Sequence, residues 1–204
     1  MFVIVRHGNT FEAGEPPRRI GARTDLPLTA NGHEQARALG RHFADKGWFF
    51  ARALVSPLRR TRETADAILT AQPEPVPTPE EADFLREIDH GPDESASEEA
   101  VLARVGRLAL DAWDSRAEAP PGWLVEGESR KAAWHDLFAG RQAASGPVLL
   151  VTSNGAARFA LLAVPELCRA AAELPSLKLS TGSYGVIARD GAGALTIQAW
   201  GMVP

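Results

Sequence analysis

The chain has 204 residues, 45% of them hydrophobic, with 22 Lys+Arg against 26 Asp+Glu and a formal net charge of −4. That length carries one sizeable domain with a core that needs no covalent staples, and the one cysteine, Cys168, excludes a disulfide framework and a multi-cysteine metal site. The mildly acidic balance argues against a nucleic-acid partner, which needs a concentrated basic face, and no apolar run approaches the ~20 residues of a membrane span. The strand-like start has no basic segment followed by a long apolar one, so no secretory signal and a reducing, cytoplasmic location are expected.

In chain order, Phe2–Val5 is a short apolar run closed by a turn signal and predicts a buried strand. Phe11–Pro27, rich in Gly, Pro and charge, reads as a long loop. Thr29 then caps a helix whose apolar positions Ala36, Leu39 and Phe43 keep helical spacing to about Ala44. Ala53–Val55 is a second strand, and Ser56-Pro57 reads as a cap with proline at the first helical position, opening a helix to about Ala71. Gln72–Pro79 is a connector, and Phe84–Ile88 a candidate edge strand before the polar loop His90–Ser97. Helices are expected over Glu98–Arg116 and Glu128–Gly140, separated by a break at Ala119–Gly122. Val148–Val151 is the third buried strand, followed by a helix over Ala156–Leu162. Cys168, in the apolar stretch Ala160–Ala172, reads as a buried helix residue. Tyr184–Ala188 and Leu195–Trp200 flank a Gly-rich turn and read as a hairpin. Alternating strands and helices predict an α/β layered fold with a largely parallel sheet and an antiparallel C-terminal hairpin.

The chemistry gathers at strand ends. Arg6-His7-Gly8 follows the first apolar run, so a strand delivers a cation and an imidazole to the mouth of the sheet. Attack on a phosphoryl group needs both: a nitrogen nucleophile and a fixed positive charge for the oxygens. Ser56–Arg60 and Asn154-Gly155 follow two further strands, and ligand sites in such sheets form beyond the carboxyl ends of strands. Arg6, Arg18, Arg19, Arg23, Arg59, Arg60 and Arg62 all fall in the first third, a local positive pocket suited to a small anionic substrate.

Three segments carry a family resemblance: Val5-Arg6-His7-Gly8-Asn9-Thr10, then Asp25–Ala36 (DLPLTANGHEQA), then Ser56–Ala65 (SPLRRTRETA). In order and spacing they resemble the histidine phosphatase superfamily, the phosphoglycerate mutase-like group, and the likeness covers nearly the whole chain. The resemblance implies a three-layer α/β/α sandwich around a mostly parallel mixed sheet. It also implies a single domain over 1–204, with a helical cap around 91–140 that sets specificity. His7 becomes the nucleophile of a phosphohistidine intermediate, and Arg6 and Arg60 become the phosphate clamps, with Arg59 and Arg62 as solvated neighbours. Gly8 lets the backbone approach the phosphate; Asn9 and Thr10 add neutral donors, and Gly155 belongs to the same binding set. Glu87, in Leu85–Gly91, is similar to the family's Leu-x-Glu segment and is the candidate acid, with Asp89 as alternate. Glu126–Ser129 resembles a further family segment, where Ser129 reads equally as a plain helix cap.

Two departures stand out. Asn154 occupies the place where the resemblance puts a second histidine, and Ala13 stands where an asparagine is common. His90 is close enough to Glu87 in sequence to supply the missing cation. His33, His42 and His135 fall on helix faces as structural or exposed residues, and Trp113, Trp123 and Trp134 serve packing or a lid. The histidines lack metal-ligand spacing, so no metal and no cofactor are expected. The expected function is a metal-independent phosphomonoester hydrolase acting on a small phosphorylated substrate, with activity reduced or re-tuned by Asn154. The alternative is a catalytically silent module that binds a phosphorylated ligand; a sugar-phosphate mutase ranks below both. Oligomeric state is left open.

Overall fold

The apolar runs become the strands of one mixed sheet in the computed structural model, which describes residues 1–140 and 146–204. In chain order the elements are β1 (Phe2–Arg6), α1 (Ala30–Asp45), β2 (Arg52–Val55), α2 (Arg59–Leu69) and β3 (Glu80–Glu81). There follow α3 (Glu98–Arg116), α4 (Gly127–Ala139), β4 (Val148–Thr152), α5 (Asn154–Leu161), α6 (Pro165–Ala171), β5 (Tyr184–Arg189) and β6 (Leu195–Met202). Among the described residues the sheet order is β3-β2-β4-β1-β5-β6. β4 pairs parallel with both β1 and β2, and the hairpin β5–β6 adds antiparallel to β1.

Side chains alternate across a strand, and that period of two splits the core into two layers. Val3, Val5, Val55, Leu149 and Val151 face α1 and α2, where Leu39, Phe43 and Ile68 meet them. Phe2, Ile4, Leu54, Val148 and Leu150 face the other way, onto Trp113 of α3, Trp134 and Phe138 of α4, Phe159 of α5 and Leu167 of α6. This is the expected three-layer α/β/α sandwich. Trp113, Trp123 and Trp134 are all buried in the second layer. Among the described residues no helix is long and apolar enough to cross a membrane.

Several local expectations are corrected. Helix α2 starts at Arg59, not at Ser56-Pro57: Ser56 accepts from the Leu58 amide, and the Arg59 amide is capped by Asp25 Oδ1 at 2.6 Å, from the long loop. Phe84–Ile88 is not a strand; the edge strand is Glu80–Glu81, and Asp83–Leu85 forms a 3₁₀ turn. Ser129 does not cap α4, whose N-cap position is Glu126 in the left-handed region with φ 52°. Helix α5 begins at Asn154, ahead of the expected start at Ala156. Cys168 is exposed, because α6 turns Leu167 and Ala171 inward and leaves the cysteine outside. Thr29 caps α1 as expected, accepting from the Gly32 amide at 3.1 Å. Helix α3 is continuous except at Gly106 (φ 79°, ψ 162°), where it kinks.

The carboxyl ends of β2, β4 and β1 lie side by side, with Arg6 opposite Thr152 and Val55 opposite Val151. Helix α1 crosses this edge at backbone contact: a Cβ on Gly32 would stand 2.2 Å from the Asn9 carbonyl oxygen, and one on Gly8 2.3 Å from that of Gly32. A helical Gly→Ala exchange normally stabilises by about 1 kcal/mol. Here the sign reverses: Gly32→Ala is expected to lower stability by about 1–3 kcal/mol, through overpacking against backbone that cannot yield. A lower urea midpoint at unchanged slope checks this; a raised midpoint would contradict the close approach.

Candidate active site

The ends of β1 and β4 deliver candidate residues to a cavity of about 160 Å³, lined by Arg6, His7, Glu87, His90, Asn154 and Gly155 among others; Arg60, beyond the end of β2, is not in the lining and meets the site through its bond to His7. Its lining also includes Thr10, Arg18, Arg19, Glu98 and Trp113. A larger groove of about 470 Å³ runs past His33, Arg37 and Glu63 on α1 and α2, and none of its titratable side chains is buried.

His7 extends β1 by one bond, its amide donating to the Thr152 carbonyl at 3.0 Å. The residue is 3% exposed. Its Nδ1 donates to the Gly8 carbonyl at 2.8 Å, and its Nε2 accepts from Arg60 Nε at 3.2 Å. The first bond fixes the tautomer and leaves the Nε2 lone pair on the far edge of the ring. Burial holds the imidazole well below its ordinary pKa; the Arg60 and Arg6 charges push the same way, against the Gly8 carbonyl. His7 is therefore neutral at physiological pH, the form that can attack an electrophile.

Arg60 is fully buried on the first turn of α2 and donates to the Thr24 carbonyl at 2.6 Å and the Gly21 carbonyl at 3.2 Å. Arg6 donates one nitrogen to the Leu179 carbonyl at 2.6 Å, and its Nε is buried without a partner among the described residues. Glu87, 6% exposed, accepts from the Ile88 amide at 2.9 Å and the Gly155 amide at 3.0 Å. Gly155 has to be glycine for this: a Cβ there would stand 2.2 Å from Glu87 Oε1. Asn154, first residue of α5, accepts at Oδ1 from the Leu179 amide at 3.0 Å, and the Leu179 carbonyl is the one that holds Arg6.

Asn9 also lines the cavity, and Arg59, Arg62, His42 and His135 take the surface and structural places expected of them. Gly8 is needed for the approach of α1, and the Asn9 side chain is engaged within the loop, donating to the Phe11 carbonyl at 2.5 Å. Asp89 is drawn away to Arg23 at 3.0 Å and to the Gly91 amide. Arg59 and Arg62 pair with Glu63 and Glu81 at the surface. Ala13 is exposed in the loop, His135 is exposed on α4, and His42 bonds the Tyr184 hydroxyl at 2.8 Å.

Sequence reasoning missed three residues that shape the site. Arg158 of α5 is fully buried, stacked 4.1 Å from the Trp113 ring, with Nε and Nη2 unpartnered among the described residues. Burial brings its pKa down to about 10, with Glu87 the largest opposing influence. Arg130 of α4 grips the Phe84, Arg86 and Val125 carbonyls and so fixes the segment that carries Glu87. Glu94 sits behind His90. The one available signal was Arg158, a lone charge in the otherwise apolar run of α5; Arg130, between Ser129 and Lys131, and Glu94 had none. Arg6, Arg60, Arg130 and Arg158 all have lowered pKa values from burial, and for each the leading opposing charge is Glu87. Arg6 lines the cavity and Arg60 touches His7 from beside it, so fixed positive charge stands at the site, an arrangement complementary to a phosphate.

A sequence model of the histidine phosphatase superfamily (branch 1) matches residues 2–202. A 2,3-bisphosphoglycerate-dependent phosphoglycerate mutase of Rhizobium etli is 30% identical over 119 residues, 58% of this chain and 56% of its own length. Three of the curated relatives are matched over 30%, 56% and 57% of their length, so the likeness spans only part of each. Among solved structures, mycobacterial glucosyl-3-phosphoglycerate phosphatase shares the fold with a TM-score of 0.76 at 20% identity, over 100% of this chain and 99% of that one. A Thermus thermophilus protein, TTHB049, is 27% identical with a TM-score of 0.64, over 98% of both chains.

The depressed pKa of His7 has a stability consequence. Below its ordinary pKa of 6.5 the unfolded chain takes up a proton that the folded ring refuses, so this residue's contribution is present above that pH and is lost as pH falls through it. His7→Gln is expected to flatten the fall in stability between pH 7.5 and 5.5, by at most about 1.4 kcal/mol per pH unit, as urea midpoints will show. An imidazole resonance of His7 titrating near 6.5 would contradict the buried, neutral ring.

Proposed function

We propose that this chain, which belongs to branch 1 of the histidine phosphatase superfamily, is a metal-independent phosphomonoester hydrolase. The observation that carries the reading is the neutral, buried His7, with Nδ1 tied to Gly8 and Nε2 against the Arg60 guanidinium. Binding a phosphate draws the Arg60 donor from the ring onto a phosphate oxygen and frees the Nε2 lone pair. Nε2 attacks phosphorus, the bond to the leaving oxygen breaks, and Glu87 gives that oxygen its proton. Water then attacks the phosphohistidine, Glu87 takes the proton back, and inorganic phosphate leaves. Arg6 and Arg60 hold the equatorial oxygens in both steps. Residues 91–140 cap the cavity in this reading, since Glu98 and Trp113 of α3 contribute to its lining. The names of the mutase and phosphatase relatives support a small phosphorylated substrate.

Asn154 favours a second reading, a silent binder of phosphorylated ligands. Its oxygen is engaged by Leu179, so it presents to the cavity a neutral amide where the family resemblance puts a histidine. A charge-assisted hydrogen bond contributes about 1.5–3 kcal/mol against about 0.5–1.5 for a neutral one. A loss of ~1–2 kcal/mol slows a reaction about 5–30-fold, which leaves turnover measurable.

With a chelator present, the protein is expected to hydrolyse p-nitrophenyl phosphate, and His7→Ala to abolish the reaction. Asn154→His should raise kcat about tenfold, as a returned charged donor requires. Equal inertness of wild type and His7→Ala over a broad substrate panel, with phosphate still raising the melting temperature, would establish the binding module instead.

A further inference from the structure

His7 is held neutral, the cavity arginines stay charged, and one lining imidazole is left unassigned. His90 lines the same cavity as His7, Glu87 and Asn154. It stands at the start of a 3₁₀ turn, Gly91–Asp93, with its side chain 8% exposed. Its Nδ1 lies 3.6 Å from Glu94 Oε2, and that carboxylate side chain is itself 9% exposed. Glu94 is fixed from two further directions, by the Thr24 hydroxyl at 2.5 Å and the Gly21 amide at 2.8 Å. These contacts, with His90, bring the Glu94 pKa down to about 2 against its burial, so the carboxylate is ionised throughout the working range. The His90 ring packs edge-on against Trp123 at 4.6 Å.

Gly21 makes the arrangement possible. A Cβ there would stand 2.5 Å from Glu94 Oε2 and 2.7 Å from His90 Nδ1, while the Gly21 carbonyl accepts from Arg60. One glycine therefore places the His90–Glu94 pair directly behind the guanidinium that touches His7. His90 Nδ1 is buried with no hydrogen-bond partner among the described residues, Glu94 Oε2 standing just beyond bonding distance, and Nε2 is the ring's opposite edge.

We propose that His90, backed by Glu94, is a second imidazole of the anion site, whose protonated form donates from Nε2 to an oxygen of the bound phosphate. This rests on the phosphate-site reading above and deepens it. A carboxylate behind a ring attracts the imidazolium, as a negative partner attracts any cation. In this arrangement the imidazolium is a charged donor, which the neutral amide of Asn154 is not. The charged groups around His90 come from four segments, its own loop, the loop before α1, α2 and α3. Glu94 belongs to its own loop, and Arg19, which lies over the Trp123 ring at 5.0 Å, comes from the loop before α1. Arg19 is paired with Glu98 of α3 at 2.7 Å, Asp93 is bonded to Arg104 and Trp123, and Arg60 lies behind Gly21.

Sulfate is the probe, because it is a dianion at every pH used. Its affinity for the intact protein is measured by calorimetry from pH 6 to 8.5, beside kcat/KM for p-nitrophenyl phosphate over the same range. In the wild type, affinity and kcat/KM are expected to fall about tenfold as pH rises and His90 loses its proton. His90→Gln is expected to be flat and equal to the high-pH wild type. His90→Phe, which keeps the edge-on contact with Trp123, should behave alike, and far-UV circular dichroism with urea midpoints verifies that both are folded. Glu94→Gln is expected to move the fall to lower pH, since it removes the charge that holds the proton; a packing role for the pair would not shift a pH profile. A wild type that binds sulfate or turns over substrate with no fall across this range overturns the proposal. So does a His90→Gln or His90→Phe variant that keeps the wild-type fall; both results leave the phosphate-site reading in place. A wild type that neither binds sulfate nor hydrolyses substrate at any pH overturns the phosphate-site reading and this proposal with it.

Discussion

Four buried guanidiniums lean on one buried carboxylate. Arg6, Arg60, Arg130 and Arg158 come from β1, α2, α4 and α5, and each is offset chiefly by Glu87. Taking a cation out of water costs several kcal/mol unless it is paired or hydrogen-bonded. The fold offsets part of that penalty with backbone carbonyls, at Leu179 for Arg6, Thr24 and Gly21 for Arg60, and Trp113 for Arg158. Other carboxylates share the task, Asp25 and Glu94 at Arg60, Glu126 and Asp83 at Arg130, and Asp114 at Arg158. Burial is the first cause of the lowered pKa of His7, and the charges of Arg60 and Arg6 add to it; the same two cations suit the site to an anion.

The arrangement is held in place by close backbone contact rather than by long side chains. Gly155 admits Glu87 to the start of α5, Gly21 admits the His90–Glu94 pair, and Gly8 with Gly32 lets α1 lie across the end of β1. At each point a single methyl group would collide with backbone or with a carboxylate. These glycines act by closeness, not by unusual backbone angles, and none of the four has a positive φ. The long loop before α1 is tied down as tightly: Asp25 caps α2, Glu63 receives the Leu28 amide, and residues 18–22 bond to the segment 88–97. Loop, helix start and the segment bearing Glu87 form one rigid surround, which is what positioning a phosphoryl group demands.

The chemistry divides between neutral and charged nitrogens. His7 has to be unprotonated to attack, and burial between cations makes it so. A charged donor on the transferred group has to come from elsewhere, and Asn154, with its oxygen committed to Leu179, contributes only a neutral N–H. His90 Nδ1 lies 3.6 Å from the Glu94 carboxylate, the partner that the proposed imidazolium faces. In the proposed mechanism, two imidazoles of one cavity are set apart in charge by what stands behind each.

The alternation of strand and helix, the three adjacent parallel strands, and the choice of His7, Arg6, Arg60 and Glu87 as candidate site residues were all legible in the amino-acid order. Their signals are short-range: apolar runs of strand length, a cap at Thr29, an arginine-histidine pair at a strand end. The start of α2 was not legible, because its cap is Asp25, 34 residues before Arg59, and the intervening chain has no pattern that announces the contact. Leu58, at the N-cap position, has no side-chain oxygen to do the task, so only the folded loop brings a carboxylate to the Arg59 amide. The burial of Arg158 on Trp113, the placing of Glu94 behind His90 and the room that Gly155 makes for Glu87 emerged with folding alone. Local sequence sets backbone preference over a few residues. Protonation is set by burial and by neighbouring charge across several ångströms of space, and those distances exist only once the chain has folded.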